Sequence, residues 1–326
     1  MRATFFRFTH ADVYTLVDAL NLPDVIYCEE NRICEDKITA LCMLLRRLAY
    51  PCRLVDLEVE FGWETSRTSR ITRLTAEFLW SRWKHLLHFD ADRLTPERLA
   101  YFAATISAKG SPASGIVAAI DGTLKKIAHP LRNQRIVFNG WYYNPCFWSR
   151  CRVEGMMLYT VLQESGLLQI LDNHFWGPKG ERLFVYGDPA YQTSEHIMAL
   201  FKGARIIQAE RDFNVKMSKI REPVEWMFKE VNTVFKFLNF SDNQKILLLP
   251  CGLYYLVAVL LTNAHTILCP SQNSKYFHCD PPSLREYFHG DAIEDVEPDR
   301  RCNDAPWGDV DVPLEDESDG DEEDDV

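Results

Sequence analysis

The run LFVYGDPAY, at residues 183–191, joins four apolar residues to a turn signal. An apolar run of this length before Gly and Pro is typical of a short buried strand. Asp188 then falls directly after the strand, at the carboxyl end where open α/β sheets bind ligands. We therefore expect an inner strand that presents an acidic side chain at the edge of its sheet.

The same pattern occurs upstream, where the apolar run GIVAAI at residues 115–120 leads into Asp121. A third acidic residue, Glu225, lies beside an apolar stripe at i, i+3, i+4 and i+7 spacing. That stripe predicts a helix over residues 221–237, with Pro223 in its first turn. Glu225 can then point along the sheet edge toward Asp188.

These three carboxylates, Asp121, Asp188 and Glu225, are the candidate catalytic and metal-binding residues. Like charges at short range repel one another unless a cation lies between them. Oxygen ligands without nearby sulfur favour Mg²⁺ or Mn²⁺, and a pair of such ions can clamp the two oxygens of an in-line phosphoryl displacement. The alternative is structural, because acidic residues before Gly or Pro are often turn formers.

At these residues the sequence resembles the PIF/Harbinger-type DDE transposases and the nuclease-like proteins derived from them. The resemblance rests on AIDGT at 119–123, YGDPAY at 186–191 and VEWMF at 224–228, and extends with gaps from roughly residue 35 to 290. It implies an RNase H-like sheet, a divalent metal ion, and cleavage and joining of DNA strands. Family members usually have more residues between the first two acids, including a His-Asp pair, so the chain resembles a shortened copy.

The predicted fold class is α/β, an RNase H-like mixed sheet with flanking helices after an all-helical region. Residues 1–110 form the helical region and residues 115–290 the nuclease-like domain. Residues 291–326 form a disordered tail, because an acidic segment nearly free of aromatics cannot bury enough surface to fold. Within the first region, residues 53–83 have the pattern of a helix-turn-helix.

Arg67, Arg70 and Arg73 recur at three-residue spacing along the second helix of that segment, predicted from Ser66 to Trp83. A cationic face with an apolar anchor behind it is what a helix needs to enter a DNA groove. These arginines are therefore the candidate DNA-binding residues. The alternative is a helical bundle with a solvated arginine face.

Five further elements are predicted from local patterns: amphipathic helices over 10–22 and 35–49, a strand over 124–128 paired with the first strand, a helix over 194–202 and a strand over 204–208. Residues 210–219 are predicted to be a polar connector. The helix predicted from about Met156 to Asp172 precedes the strand that ends at Asp188.

The net charge of −11 is unevenly distributed. From Asp291 onward the chain has 17 acidic residues and 2 arginines, so the tail carries −15 and the body +4. A mildly basic body permits contact with phosphates. The tail is either a solvating segment or a mimic of DNA that folds back onto the basic body.

The ten cysteines form no CxxC pair, which favours free thiols in a reducing compartment. A cluster of His265, Cys269, His278 and Cys279 is interpreted as core packing rather than as a metal site. No secretory signal is expected at the start, and the apolar stretch 252–269 is predicted to be a buried helix rather than a membrane span.

Three functions are compatible with these patterns. The first is a metal-dependent endonuclease with DNA as substrate, resident in the nucleus. A separate DNA-targeting protein is its candidate partner. The second is a DNA- or protein-binding module derived from such an enzyme, without catalysis. The third is a decayed element.

Overall fold

The computed structural model describes residues 3–29, 31–87, 89–121, 125–126, 128, 138–139, 144–147, 166–188, 191, 193–203, 205–245 and 248–288. The predicted tail from residue 291 and the first part of the helix predicted over 156–172 lie outside these residues. The described chain is a mixed α/β structure.

The helices are α1 Ala3–Phe6, α2 His10–Ala19, α3 Lys37–Ala49, α4 Leu54–Phe61, α5 Thr65–Trp83, α6 Pro96–Ala108, α7 Leu167–His174, α8 Gln208–Val234, α9 Cys251–Leu268, α10 Gln272–Phe277 and α11 Leu284–Tyr287. The strands are β1 Val25–Cys28, β2 Ile33–Asp36, β3 Ile116–Ile120, β4 Lys125–Lys126, β5 Phe138–Asn139, β6 Asn144–Phe147, β7 Phe184–Gly187 and β8 Ile197–Met198.

The N-terminal helices begin and end where their caps predict. The Asp36 carboxylate accepts from the first backbone N–H groups of α3, and the Thr95 hydroxyl accepts from the Arg98 N–H of α6. Gly62, at φ +72°, ends α4 in the left-handed conformation that glycine adopts without strain. The predicted succession of helix, glycine turn and helix is present, while its assignment as a DNA-binding helix-turn-helix stays a prediction.

The prediction of an all-helical first region is wrong. Strands β1 and β2 form an antiparallel hairpin with Val25 opposite Asp36 and Cys28 opposite Ile33. The run Val25 to Cys28 alternates exposed and buried side chains. This alternation suits one face packed on the helices and one face in water.

The central sheet consists of β3, β7 and β8, in that spatial order and all parallel. One apolar cluster packs it against α6 and α7, where Leu99 and Leu171 meet Val117 and Val185. A second cluster joins Tyr186 to Met217 of α8. The inner strand β7 is therefore covered on both faces, as its unbroken apolar run predicts.

Helix α8 is longer than predicted, because it starts at Gln208 rather than near residue 221. The segment predicted as a polar connector has Phe213, Met217 and Ile220 at i, i+4 and i+7, and this stripe packs under the sheet. Pro223 consequently lies inside the helix, where it lacks the N–H of an i→i−4 bond. The Pro223 carbonyl accepts from the Asn273 amide at 3.0 Å.

Two predictions around residues 194–208 are wrong. No helix forms over the described residues of 194–202, where the chain instead enters the two-residue strand β8. The strand predicted over 204–208 is also absent from its described part, since Gln208 already begins α8. Residues 197–198 form a strand rather than a helix because they pair in parallel with β7. The Val185 N–H donates to the His196 carbonyl at 2.8 Å in this pairing.

Strand β4 lies in a different sheet from the one predicted. It pairs with β6 in an antiparallel sheet of order β4-β6-β5, rather than with β3. The first strand of the central sheet instead pairs with β7, far downstream in sequence.

The largest apolar cluster joins the two ends of the described chain. Leu41, Leu44 and Ile71 from the N-terminal helices pack with Phe235 and Leu261 from the C-terminal part. This core crosses the boundary near residue 110 that the domain division uses. The division itself stays a prediction.

Helix α9 has the length and composition that would allow it to cross a membrane, and it is the one such helix among the described residues. Half of it is buried inside the protein, including Val257, Ala258 and Leu261. That burial is typical of a core helix in a folded domain and agrees with the interpretation made from the sequence.

Candidate active site

Two of the three predicted acids lie at the same edge of the central sheet. Strands β3 and β7 are parallel and adjacent, with Ile120 opposite Gly187. Asp121 and Asp188 are the next residue on each strand. Both are half-buried.

Tyr191 lies beside these acids, and their negative charges contribute to the shift of its pKa. It is buried, and its N–H donates to the Asp188 carbonyl at 3.2 Å. Burial raises the pKa of Tyr191 well above its usual range; the negative charges of Asp188 and Asp121 raise it further, while Arg221 opposes them. The Tyr191 phenol therefore lies within electrostatic range of both carboxylates and of the Arg221 guanidinium.

Arg221 is the cation of this group. Its Nη1 lies 3.4 Å from Asp121 Oδ2, and its Nη2 lies 3.4 Å from Glu225 Oε1. Arg221 and Glu225 are one helical turn apart on α8, so a single guanidinium spans from the helix to the sheet edge. The side chains of Arg221 and Asp121 are 23% and 17% exposed, whereas Glu225 is 59% exposed.

The two aspartates fit a divalent metal ion in their chemistry, since both offer hard oxygen ligands at one sheet edge. Glu225 does not complete the set in this arrangement. Asp121, Asp188 and Glu225 do not form a group in which a ligand atom of each lies within 4.8 Å of the others. The guanidinium of Arg221 pairs instead with Asp121 and Glu225.

Sequence reasoning missed a different group of three. Asp172, Glu195 and His196 have ligand atoms within 4.8 Å of one another, and they form the one such group among the described residues. Asp172 belongs to α7, and the other two directly precede β8. No spacing motif connects them, so only the fold brings them together.

The three arginines of α5 have different surroundings. Arg67 donates to the Cys34 carbonyl at 2.7 Å, pairs with Glu35 at 3.2 Å and lies 3.5 Å from the Trp63 ring centroid. Arg73 pairs with Glu77 at 2.6 Å. Arg70 is exposed. Their role in DNA binding stays a prediction.

The residues His265, Cys269, His278 and Cys279 do not form a metal-ligating group in the described part of the chain. His265 instead packs edge-on against Phe8 at 5.5 Å, and burial lowers its pKa. The thiol of Cys279 lies 3.7 Å from the Tyr101 hydroxyl.

Residues 159–263 match the family model of the DDE superfamily endonucleases. This segment includes Asp188 and Glu225. It begins after β3, so Asp121 lies outside it. No curated protein and no solved structure matches the chain.

Proposed function

We propose that this protein is a DDE-type, metal-dependent nuclease that cleaves phosphodiester bonds in DNA. The observation that supports it most directly is the position of Asp121 and Asp188 at the ends of adjacent parallel strands. The endonuclease match covers Asp188 and Glu225. The transposase-like subtype and the RNase H-like fold are part of the proposal.

Asp121 and Asp188 would hold Mg²⁺ or Mn²⁺, with Glu225 as a third ligand once Arg221 turns away from it. The ion would polarise a phosphoryl oxygen and stabilise charge in an in-line displacement. Tyr191 and Tyr186 stay neutral beside these acids because their phenol pKa values are raised, in the case of Tyr186 to about 12. Arg221, when released, is placed to contact a phosphate through its planar donors.

Cleavage of a supercoiled plasmid and of labelled duplexes in Mg²⁺ or Mn²⁺ tests the proposal. We expect Asp188→Asn to lower the rate at least about 100-fold, because an amide cannot replace a charged ligand. Asp18→Asn, an exposed change on α2, is the matched control and should cleave like the wild type. Equal cleavage by Asp188→Asn and wild type would contradict the proposal.

A DNA-binding module without catalysis is the second candidate. It is favoured by the guanidinium of Arg221 that bridges Asp121 and Glu225, and by the separation of Glu225 from a ligand group. The same preparation distinguishes it: the folded wild type would bind DNA without cleaving it. Arg70→Ala would weaken that binding and reduce its dependence on log salt by about one unit, whereas Lys202→Ala would not.

Nuclear localisation and a separate DNA-targeting partner belong to this proposal as well. Both rest on DNA as the substrate. Fractionation of cells that express the tagged full chain, with copurified proteins identified by mass spectrometry, tests them together.

A further inference from the structure

A second cluster of metal-ligating side chains lies at the opposite end of β7 from the aspartates. Asp172 is in the last turn of α7, while Glu195 and His196 directly precede β8. One ligand atom of each residue lies within 4.8 Å of the other two. Because β8 pairs in parallel with β7, this cluster is at the amino edge of the sheet, not at the carboxyl edge.

His196 has the arrangement of a metal-binding imidazole. Its side chain is 1% exposed. Its Nδ1 lies 2.8 Å from the Leu183 carbonyl, which only accepts hydrogen bonds, so Nδ1 carries a proton; in the neutral imidazole Nε2 then carries the lone pair. Metal-bound histidines typically make this bond to a backbone carbonyl, which fixes the tautomer.

The Nε2 atom of His196 binds no other group in the described part of the protein. It is buried and has no hydrogen-bond partner there. A buried nitrogen acceptor without a hydrogen-bond partner is unfavourable, so its retention calls for a ligand. The Trp176 ring packs edge-on against the imidazole at 5.0 Å and holds it in place.

The two carboxylates supply charge at the surface of the same cluster. Asp172 and Glu195 are both exposed, and the C-terminal end of α7 adds partial negative charge beside Asp172. Glu195 has a cationic neighbour, since Arg182 Nη2 lies 3.6 Å from its Oε2. Arg182 and Glu195 are 45% and 71% exposed, so water screens this pair and an ion can displace the arginine.

We propose that Asp172, Glu195 and Nε2 of His196 bind a divalent transition-metal ion of the Zn²⁺ class. An imidazole nitrogen with two carboxylates suits Zn²⁺ better than Mg²⁺, which prefers oxygen ligands. Three protein ligands leave a further position for water. The ion ties the end of α7 to β8, and it is independent of the proposed nuclease activity.

Titration of the metal-free full-length chain with Co²⁺ tests the proposal, because bound Co²⁺ gives a visible absorption spectrum. We expect one Co²⁺ to bind and Zn²⁺ to displace it. Asp172→Asn and Glu195→Gln should each weaken binding at least about tenfold. Both residues are exposed, so circular dichroism should show the same fold in each variant.

Two controls make the result specific. Glu181→Gln changes an exposed carboxylate shortly before β7 and should leave Co²⁺ affinity unchanged. Asp188→Asn changes the other end of β7 and should also leave it unchanged. A folded wild type that binds no Co²⁺, variants at Asp172 and Glu195 that bind like the wild type, or loss of binding in Asp188→Asn would each overturn the proposal.

Discussion

Acidic side chains lie near both ends of strand β7, but the groups that can balance their charge differ between the two ends. At the carboxyl end, Arg221 pairs with Asp121 and with Glu225, and Asp188 follows the adjacent strand. At the amino end, Asp172 and Glu195 lie beside a buried imidazole whose Nε2 has no partner among the described residues. The five residue-to-residue steps from Leu183 to Asp188 separate the two ends by roughly 16 Å, at about 3.3 Å per step.

The difference shows what each end lacks. The carboxyl end already contains a positive charge within the protein, so a metal ion there must compete with a guanidinium. The amino end contains a nitrogen ligand in a fixed tautomer, and its neighbour Arg182 is exposed and readily displaced. A soft-to-borderline ion is therefore expected to bind the amino end first, and a hard ion to bind the carboxyl end only after Arg221 moves.

The largest effect is expected from packing at the carboxyl end. A Cβ atom at Gly187 would lie 2.8–3.0 Å from the Tyr191 side chain, including its Cβ and ring base, which cannot move aside. We expect Gly187→Ala to lower the free energy of unfolding by about 2 kcal/mol. Denaturant unfolding measures it.

Gly177→Ala is the matched control for that change at the amino end. Its new Cβ would meet only the flexible end of Glu181, which can swing into water. We expect a loss below about 0.5 kcal/mol. Equal losses in the two variants would mean that Tyr191 does not close tightly over the carboxyl end.

An intermediate effect is expected from removal of the guanidinium. Arg221→Gln leaves Asp121 and Glu225 without their shared cation, which should cost about 1 kcal/mol in metal-free buffer. Mn²⁺ should then stabilise the variant more than the wild type, because the ion no longer competes with the arginine. Thermal unfolding with and without Mn²⁺ measures both effects.

Arg205→Gln removes an exposed arginine near the start of α8 and serves as the control. It should change neither the stability nor the response to Mn²⁺. If Mn²⁺ stabilises Arg221→Gln and the wild type equally, the guanidinium does not occupy the place of an ion.

The smallest effect is expected in the middle of β7. The Tyr186 hydroxyl is buried and has no hydrogen-bond partner in the described structure. Tyr186→Phe should therefore raise the free energy of unfolding by about 0.5 kcal/mol at neutral pH. Tyr14→Phe, at an exposed position, should leave it unchanged.

The pH dependence of the same pair gives a sharper test. Burial raises the pKa of Tyr186 to about 12, above the value of about 10 in an unfolded chain. The folded state thus favours the neutral phenol, and its stability is full below pH 10 and falls as the pH rises to 12. Tyr186→Phe should lose less stability over this window than the wild type, and Tyr14→Phe should lose as much as the wild type.

Local signals predicted the elements that end on strong caps. The helix, glycine turn and helix around Gly62 are present as expected, because the cap satisfies backbone groups that water would otherwise bind. The two strand ends at Asp121 and Asp188 were also predicted, because a buried strand followed by Gly or Pro has few other conformations. Their proximity followed from the parallel order of the strands.

Tertiary contacts decided what local signals did not. Ile197 and Met198 form too short a strand for any period to show, and only the ladder with β7 fixes them. The start of α8 was missed because Pro223 was taken as a helix start, whereas the helix tolerates it inside. Asp172 and His196 are 24 positions apart in sequence, so their meeting depends on the fold alone.

The apolar cluster that joins Leu44 and Ile71 to Phe235 and Leu261 has a consequence for how the chain folds. During synthesis, the N-terminal helices emerge long before the segments that cover them. Their apolar faces stay uncovered until more than half of the chain has been translated. Each contact between the N-terminal helices and the C-terminal segments then closes a very long loop. We expect slow folding that is sensitive to the rate of translation.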